Sequence, residues 1–103
     1  MRREKKNYLN AYLLQEAKIK RLKEMKKISP DKSQEYSKKI KECKSLRDEI
    51  EYKIKAVDGG VLSEILFQKY IFGKTLEEIS YILNYSKRQI ERLHITALEK
   101  FNL

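Results

Sequence analysis

Between Lys74 and Leu93 the sequence KTLEEISYILNYSKRQIERL reads as two short helices with almost no chain between them. Thr75 and Glu78 have the three-residue spacing of a capping box, in which each side chain satisfies a backbone N–H that the first helical turn leaves free. Ile79, Ile82 and Leu83 then share one face at helical spacing. Ser80, one turn after Leu76, is small enough to let a second helix approach. Asn84 comes next, and after glycine asparagine is among the residues that best tolerate a left-handed turn. Ser86 and Gln89 repeat the capping box, and Ile90, Leu93, Ala97, Leu98 and Phe101 give the next helix an apolar face. Two helices meeting at such a turn predict a helix-turn-helix.

The chain ahead of this motif predicts a helical hairpin. Residues 7–28 contain no glycine or proline and place Tyr8, Ala11, Tyr12, Leu14, Ile19, Leu22 and Met25 on one broad side. Ser29-Pro30-Asp31 interrupts, because proline disfavours helical geometry in the residue before it. Either Ser29, with Pro30 as the first helical residue, or Asp31, with Gln34 as its partner, can cap the second helix. That helix is expected to run to about Val57. Tyr36, Ile40, Cys43, Arg47, Ile50, Ile54 and Val57 alternate four and three spacings, a near-heptad seam with one charged member. A short connection between amphipathic helices implies antiparallel packing, each arm being on the order of 30 Å long.

Asp58-Gly59-Gly60 predicts a turn between hairpin and head. A helix from Val61 to Phe72, with Leu62, Ile65, Leu66 and Tyr70 inward, should end at Gly73. The expected architecture is therefore all-α: an antiparallel coiled-coil-like hairpin over residues 1–57, then a three-helix helix-turn-helix head over residues 58–103. The head core would draw on Leu62, Ile65, Leu66, Leu76, Ile79, Ile82, Leu83, Ile90, Leu93 and Leu98.

Charge narrows the partner class. The net charge is +9 with 38% charged residues, which favours a polyanionic partner. Yet residues 1–57 carry the whole surplus, 18 Lys and Arg against 9 Asp and Glu, whereas residues 58–103 balance at 6 and 6. The single Cys43 and single His94 exclude an internal disulfide, a thiolate cluster and multi-histidine metal motifs, so neither metal nor cofactor is expected. No run approaches the roughly 20 apolar residues of a membrane span. The opening MRREKKNYLNAYLLQEAK turns polar too soon for a signal peptide. A cytoplasmic location and a reducing environment are expected, with neither a membrane nor a small-molecule substrate as partner.

The polar side of the last helix carries the candidate chemistry. With Ile90 as reference, Leu93, His94, Ala97 and Phe101 lie on its side, whereas Arg88, Gln89, Arg92, Ile95, Thr96 and Glu99 lie opposite. In a helix-turn-helix the N-terminal half of this helix meets base edges in the major groove. Arg88 and Arg92 can take guanine in a bidentate pair, and Gln89 can take adenine. Lys87 and the free amides near the helix start suit phosphate oxygens, and Ser86 and Thr75 complete the candidate DNA-binding set. His94 is expected to be a core or hairpin-facing residue.

From Leu62 to Phe101 the pattern LSEILFQKYIFGKTLEEISYILNYSKRQIERLHITALEKF resembles region four of bacterial sigma factors. It is most similar to the small phage and prophage transcription regulators of the ArpU/RinA type, and the basic hairpin extends that likeness over most of the chain. The segments carrying it are KYIFGKTLEEIS, NYSKRQIERLH and TALEKF. Asn84 departs from the family, which often has glycine there. The resemblance implies a regulator of phage late genes that binds duplex DNA near a promoter at the nucleoid of a bacterial host. It also implies that Lys87, Arg88, Gln89 and Arg92 occupy the DNA-reading positions. No aromatic-rich segment for melted DNA is present, so by that likeness the protein should position or recruit RNA polymerase at duplex DNA and should not open it alone.

Alternatives come from other classes. The head could bind RNA polymerase or another factor as a protein-interaction module, or recognise phage DNA for packaging. The hairpin could brace the head or pair two copies, and a homodimer would read half-sites about 34–36 Å apart. An enzyme is not expected: no nucleophile has a paired histidine and acid, and no glycine-rich phosphate loop occurs.

Overall fold

The computed structural model describes residues 2–103, and those residues are helical with no strand among them. Helix α1 (Arg2–Ile28) turns through a 3₁₀ segment (Pro30–Lys32) into α2 (Ser33–Lys55). Helix α3 (Gly60–Leu66) continues into a π-helical turn (Phe67–Ile71), and α4 (Leu76–Leu83) and α5 (Lys87–Lys100) complete the head. The fold is an antiparallel helical hairpin joined to a helix-turn-helix-like head.

The seam of α2 obeys its sequence pattern. Tyr36, Ile40, Ile50, Ile54 and Val57 are buried, and Cys43 and Arg47 partly so. The charged member is matched from across the hairpin by Glu16, to which the Arg47 guanidinium donates at 2.8 Å, and on its own helix it donates to Asp48 at 3.2 Å. These carboxylates hold the Arg47 pKa above its ordinary value, the hydrogen bond that Arg47 donates to Glu16 being the largest cause.

The predicted stripe of α1 is inward at Tyr8, Ala11, Tyr12, Ile19 and Leu22 but not at Leu14 and Met25. Leu9, Gln15, Ile19 and Leu22 are buried, whereas Leu14 is 53% and Met25 37% exposed. The reason is a second partner. The first third of α1 packs on α2 and the head together, so Leu9 joins Ile50, Ile54, Leu66, Tyr70, Ala97, Leu98 and Phe101 in one cluster. Farther along, Ile19, Leu22, Tyr36 and Ile40 close the hairpin by themselves. Neither Ser29 nor Asp31 caps α2 by a side chain; the 3₁₀ turn instead feeds the helix, with Lys32 at its N-cap. Helix α1 also begins earlier than expected, and Lys5 Nζ donates to the Leu98 carbonyl at 2.8 Å, satisfying the C-terminal end of α5.

In the head, Ile65, Ile79 and Ile90 form the inner cluster, with Leu76, Leu83 and Leu93 packed against it. Ile82, expected inside, is 50% exposed beside Tyr81. Helix α4 has eight residues, and Ile79 and Leu83 already fill its narrow inward side. The helix after Asp58 does not stay α-helical. Phe72 N–H reaches back five residues to the Phe67 carbonyl and Lys74 N–H six to the Gln68 carbonyl, a widened turn that ends at Gly73 with φ 71°.

Candidate nucleic-acid interface

The helix-turn-helix is fixed by short-range hydrogen bonds. Glu78 N–H donates to Thr75 Oγ1 at 3.1 Å, and Thr75 N–H donates to Glu78 Oε1 at 3.0 Å. Those bonds hold the Glu78 carboxyl below the usual carboxylate range, the backbone bond from Thr75 contributing most. Asn84 ends α4 in the left-handed region at φ 60°, ψ 43°. Its neighbour Tyr85 donates its N–H to the Ser80 carbonyl at 3.0 Å, closing the turn. Helix α5 starts with the matching box: Gln89 N–H to Ser86 Oγ at 3.1 Å and Ser86 N–H to Gln89 Oε1 at 3.0 Å. Each such cap contributes about 1 kcal/mol.

All six candidate residues are exposed. Two of them, Thr75 and Lys87, come together: they line one cleft of about 500 Å³ with Lys69, Lys74, Leu13 of α1 and one carboxylate, Glu77. Gln89 and Arg92 line a different groove, of about 530 Å³, with Tyr85, Thr96 and the start of α3. Arg88 lies on the ridge of α5 and lines neither. The first two turns of α5 thus form a cationic ridge between two grooves.

The second capping box restricts Gln89. A bidentate pair with adenine needs the amide oxygen as acceptor and the amide nitrogen as donor. Here the oxygen already accepts from Ser86 N–H, so one of its two lone pairs is taken, and the NH₂ group stays free to donate. That group suits acceptors such as phosphate oxygens or a purine N7. Reading adenine would share the oxygen between Ser86 N–H and the base through its second lone pair.

Sequence reasoning gave no role to Lys69 or Tyr85. Lys69 sits in the π-helical turn, whose extra residue resets the helical phase and brings it to the cleft of Thr75 and Lys87. Strict 3.6-residue spacing contains no sign of that shift. Tyr85 lies in the interhelical turn, where periodicity assigns no face.

Beneath the ridge, His94 is buried and shares a hydrogen bond of 2.8 Å with the Tyr70 hydroxyl. Burial, then the nearby Lys69 and Lys6 ammonium groups, push its pKa down to about 4, so it is neutral at pH 7. Burial likewise pushes the Tyr70 phenol up to about 12. The pair is a neutral structural contact. No group of three or more His, Cys, Asp or Glu side chains is arranged to hold a metal among the described residues. No helix among them is long and apolar enough to cross a membrane.

Comparison with protein-family models, with characterised proteins and with solved structures gives no match to this chain.

Proposed function

We propose that the protein is a sequence-specific duplex DNA-binding transcription regulator that inserts the start of α5 into the major groove. The observation that carries this reading is the cationic ridge itself. Lys87, Arg88, Gln89 and Arg92 stand exposed on the first two turns of a helix that is locked at its start and packed along its opposite side. An α-helix of this width fits the roughly 12 Å major groove. Arg88 and Arg92 take guanine edges, and the Gln89 NH₂ donates to a purine acceptor or a phosphate. Lys87, Lys74 and Lys69 around the Thr75 cleft hold backbone phosphate on one flank. Control of phage genes and engagement of RNA polymerase belong to this proposal through the family resemblance.

The test is selection of bound duplexes from a random pool, then two substitutions. Arg88→Ala is expected to weaken the selected site by about 1–3 kcal/mol and relax preference at one base pair, whereas Lys87→Ala weakens all sequences alike. Equal losses on selected and random DNA for Arg88→Ala would overturn the reading role.

One observation favours a second reading as a protein-interaction module. Tyr81 and Ile82, 79% and 50% exposed on the outer side of α4, form an apolar pair away from the cationic ridge. A binding constant indifferent to salt would support that reading, since displacement of counterions makes DNA binding fall steeply with salt.

A further inference from the structure

Most of the charge surplus lies far from the reading ridge. Residues 18–44, the distal half of the hairpin, hold eleven Lys and Arg against four Asp and Glu, a net charge of +7 out of +9 for the chain. This half is closed by its own apolar seam, so its surface charge does no work in attaching it to the head. On one face a shallow groove of about 670 Å³ runs between the two helices. It is lined by Lys23, Lys26, Lys27 and Lys44 with Ser33 and Ser37, and by no carboxylate. None of these four lysines has a carboxylate within salt-bridge distance among the described residues.

The direction of the hairpin gives that groove its meaning. Lys5 of α1 bonds the Leu98 carbonyl at the C-terminal end of α5. Eight residues later Leu13 lines the cleft of Lys87, the first residue of α5, and a Cβ on Gly73 would sit 3.5 Å from Leu13 Cδ1. Helix α1 therefore runs antiparallel to α5. Its remaining turns carry the hairpin about 22 Å past the head, at 1.5 Å per residue, on the side where α5 begins. The molecule is accordingly long, 52 × 25 × 21 Å.

We infer that the distal hairpin is a phosphate-gripping arm. While α5 reads bases, the groove between Lys23, Lys26, Lys27 and Lys44 takes the sugar-phosphate backbone of the same duplex outside the bases being read. This inference rests on the proposed reading of DNA by α5. Four ammonium groups and two hydroxyls without a competing acid match a run of phosphodiesters in charge and in hydrogen-bonding sense. Such contacts add affinity and fix orientation but carry no sequence information.

The test uses the full chain and a variant with Lys23, Lys26, Lys27 and Lys44 all changed to Gln. Circular dichroism and thermal melting first verify that the variant keeps its fold. Binding to the selected duplex and to a random one is then measured from 50 to 200 mM salt. Each lost phosphate contact lowers the slope of log K against log salt by about 0.9. The advantage of the wild type over the variant should therefore shrink about a hundredfold across that range. The ratio between selected and random DNA should stay unchanged, and ethylation interference should lose protected phosphates outside the read bases. Equal slopes for the two proteins, with a preference that still depends on Arg88, would overturn the arm alone; an arm made for an acidic protein surface gives that result. A slope difference combined with a preference indifferent to Arg88 would support the arm and overturn the reading by α5.

Discussion

The Tyr70 hydroxyl and the His94 imidazole Nε2 lie 2.8 Å apart in the interior of the head, joining the π-helical turn to α5. The buried His94 is held neutral by burial and by the nearby Lys69 and Lys6, and its depressed pKa makes stability depend on acid. The unfolded histidine titrates near 6.5 and the folded one near 4, so between these values the unfolded state binds more protons. This contribution is fully present above pH 6.5 and is lost as pH falls toward 4. Its upper limit is about 3 kcal/mol at about 1.4 kcal/mol per pKa unit. His94→Gln, which cannot titrate, is expected to show a shallower decline of urea-unfolding stability from pH 6.5 to 4 than the wild type. Identical declines would refute the assignment.

Gln89→Glu tests the proposed recognition role apart from folding. Gln89→Glu retains an oxygen acceptor for Ser86 N–H and adds negative charge at a helix start, which is worth about 0.3–1 kcal/mol of stability. It also removes the exposed NH₂ donor and sets a carboxylate among Lys87, Arg88 and Arg92. The expected result is an equal or higher melting temperature with DNA affinity reduced at least tenfold. A variant that still bound the selected duplex normally would remove Gln89 from the interface.

Asn84 is a non-glycine residue with positive φ, at the turn that sets the angle between α4 and α5. Asn84→Gly should be neutral to about 1 kcal/mol stabilising, because glycine enters the left-handed region without a Cβ penalty. Asn84→Val, with a branched Cβ, should cost about 1–2 kcal/mol or more. Thermal melts of the two variants measure the difference, and the opposite order would contradict a left-handed residue at this turn.

Arg47 and Glu16 form the one ion pair set into the hairpin seam among the described residues, at 2.8 Å and only partly exposed. Arg47→Ala leaves Glu16 without its partner and is expected to lower stability by about 1–2 kcal/mol, as for a half-buried charge stripped of its hydrogen bond. Changing both residues to Leu completes the apolar seam, and such replacements are commonly neutral or stabilising. Denaturant midpoints at fixed salt distinguish the cases; a double variant less stable than Arg47→Ala would show that the pair is a net stabiliser.

Much of the head is legible in the sequence because its signals are short. Thr75 with Glu78, and Ser86 with Gln89, make bonds between residues three apart, so their geometry arises wherever a helix begins there. Asn84 in the left-handed turn and the α2 seam from Tyr36 to Val57 are legible for the same reason. Helix α1 is less so. Tyr8, Leu9, Tyr12 and Leu13 supply apolar surface over two adjoining stripes, and spacing alone does not say which stripe meets a second partner. Leu14 and Met25 would outrank Leu9 only if α2 were the sole partner of α1, and the head is a second one.

The residue order by itself determined the two capped helices, the turn between them, the two-armed hairpin and the placement of positive charge, since each depends on side chains within one or two turns of each other. The tertiary structure alone decided that Leu9, Tyr70 and Phe101 share a core across the Asp58–Gly60 turn. It also decided that Lys69 joins Thr75 and Lys87 at one cleft, and that the basic arm leaves the head on the side where α5 begins. These outcomes arise from the burial of apolar surface between segments up to about 90 residues apart, which is non-directional and leaves no periodic mark in the chain.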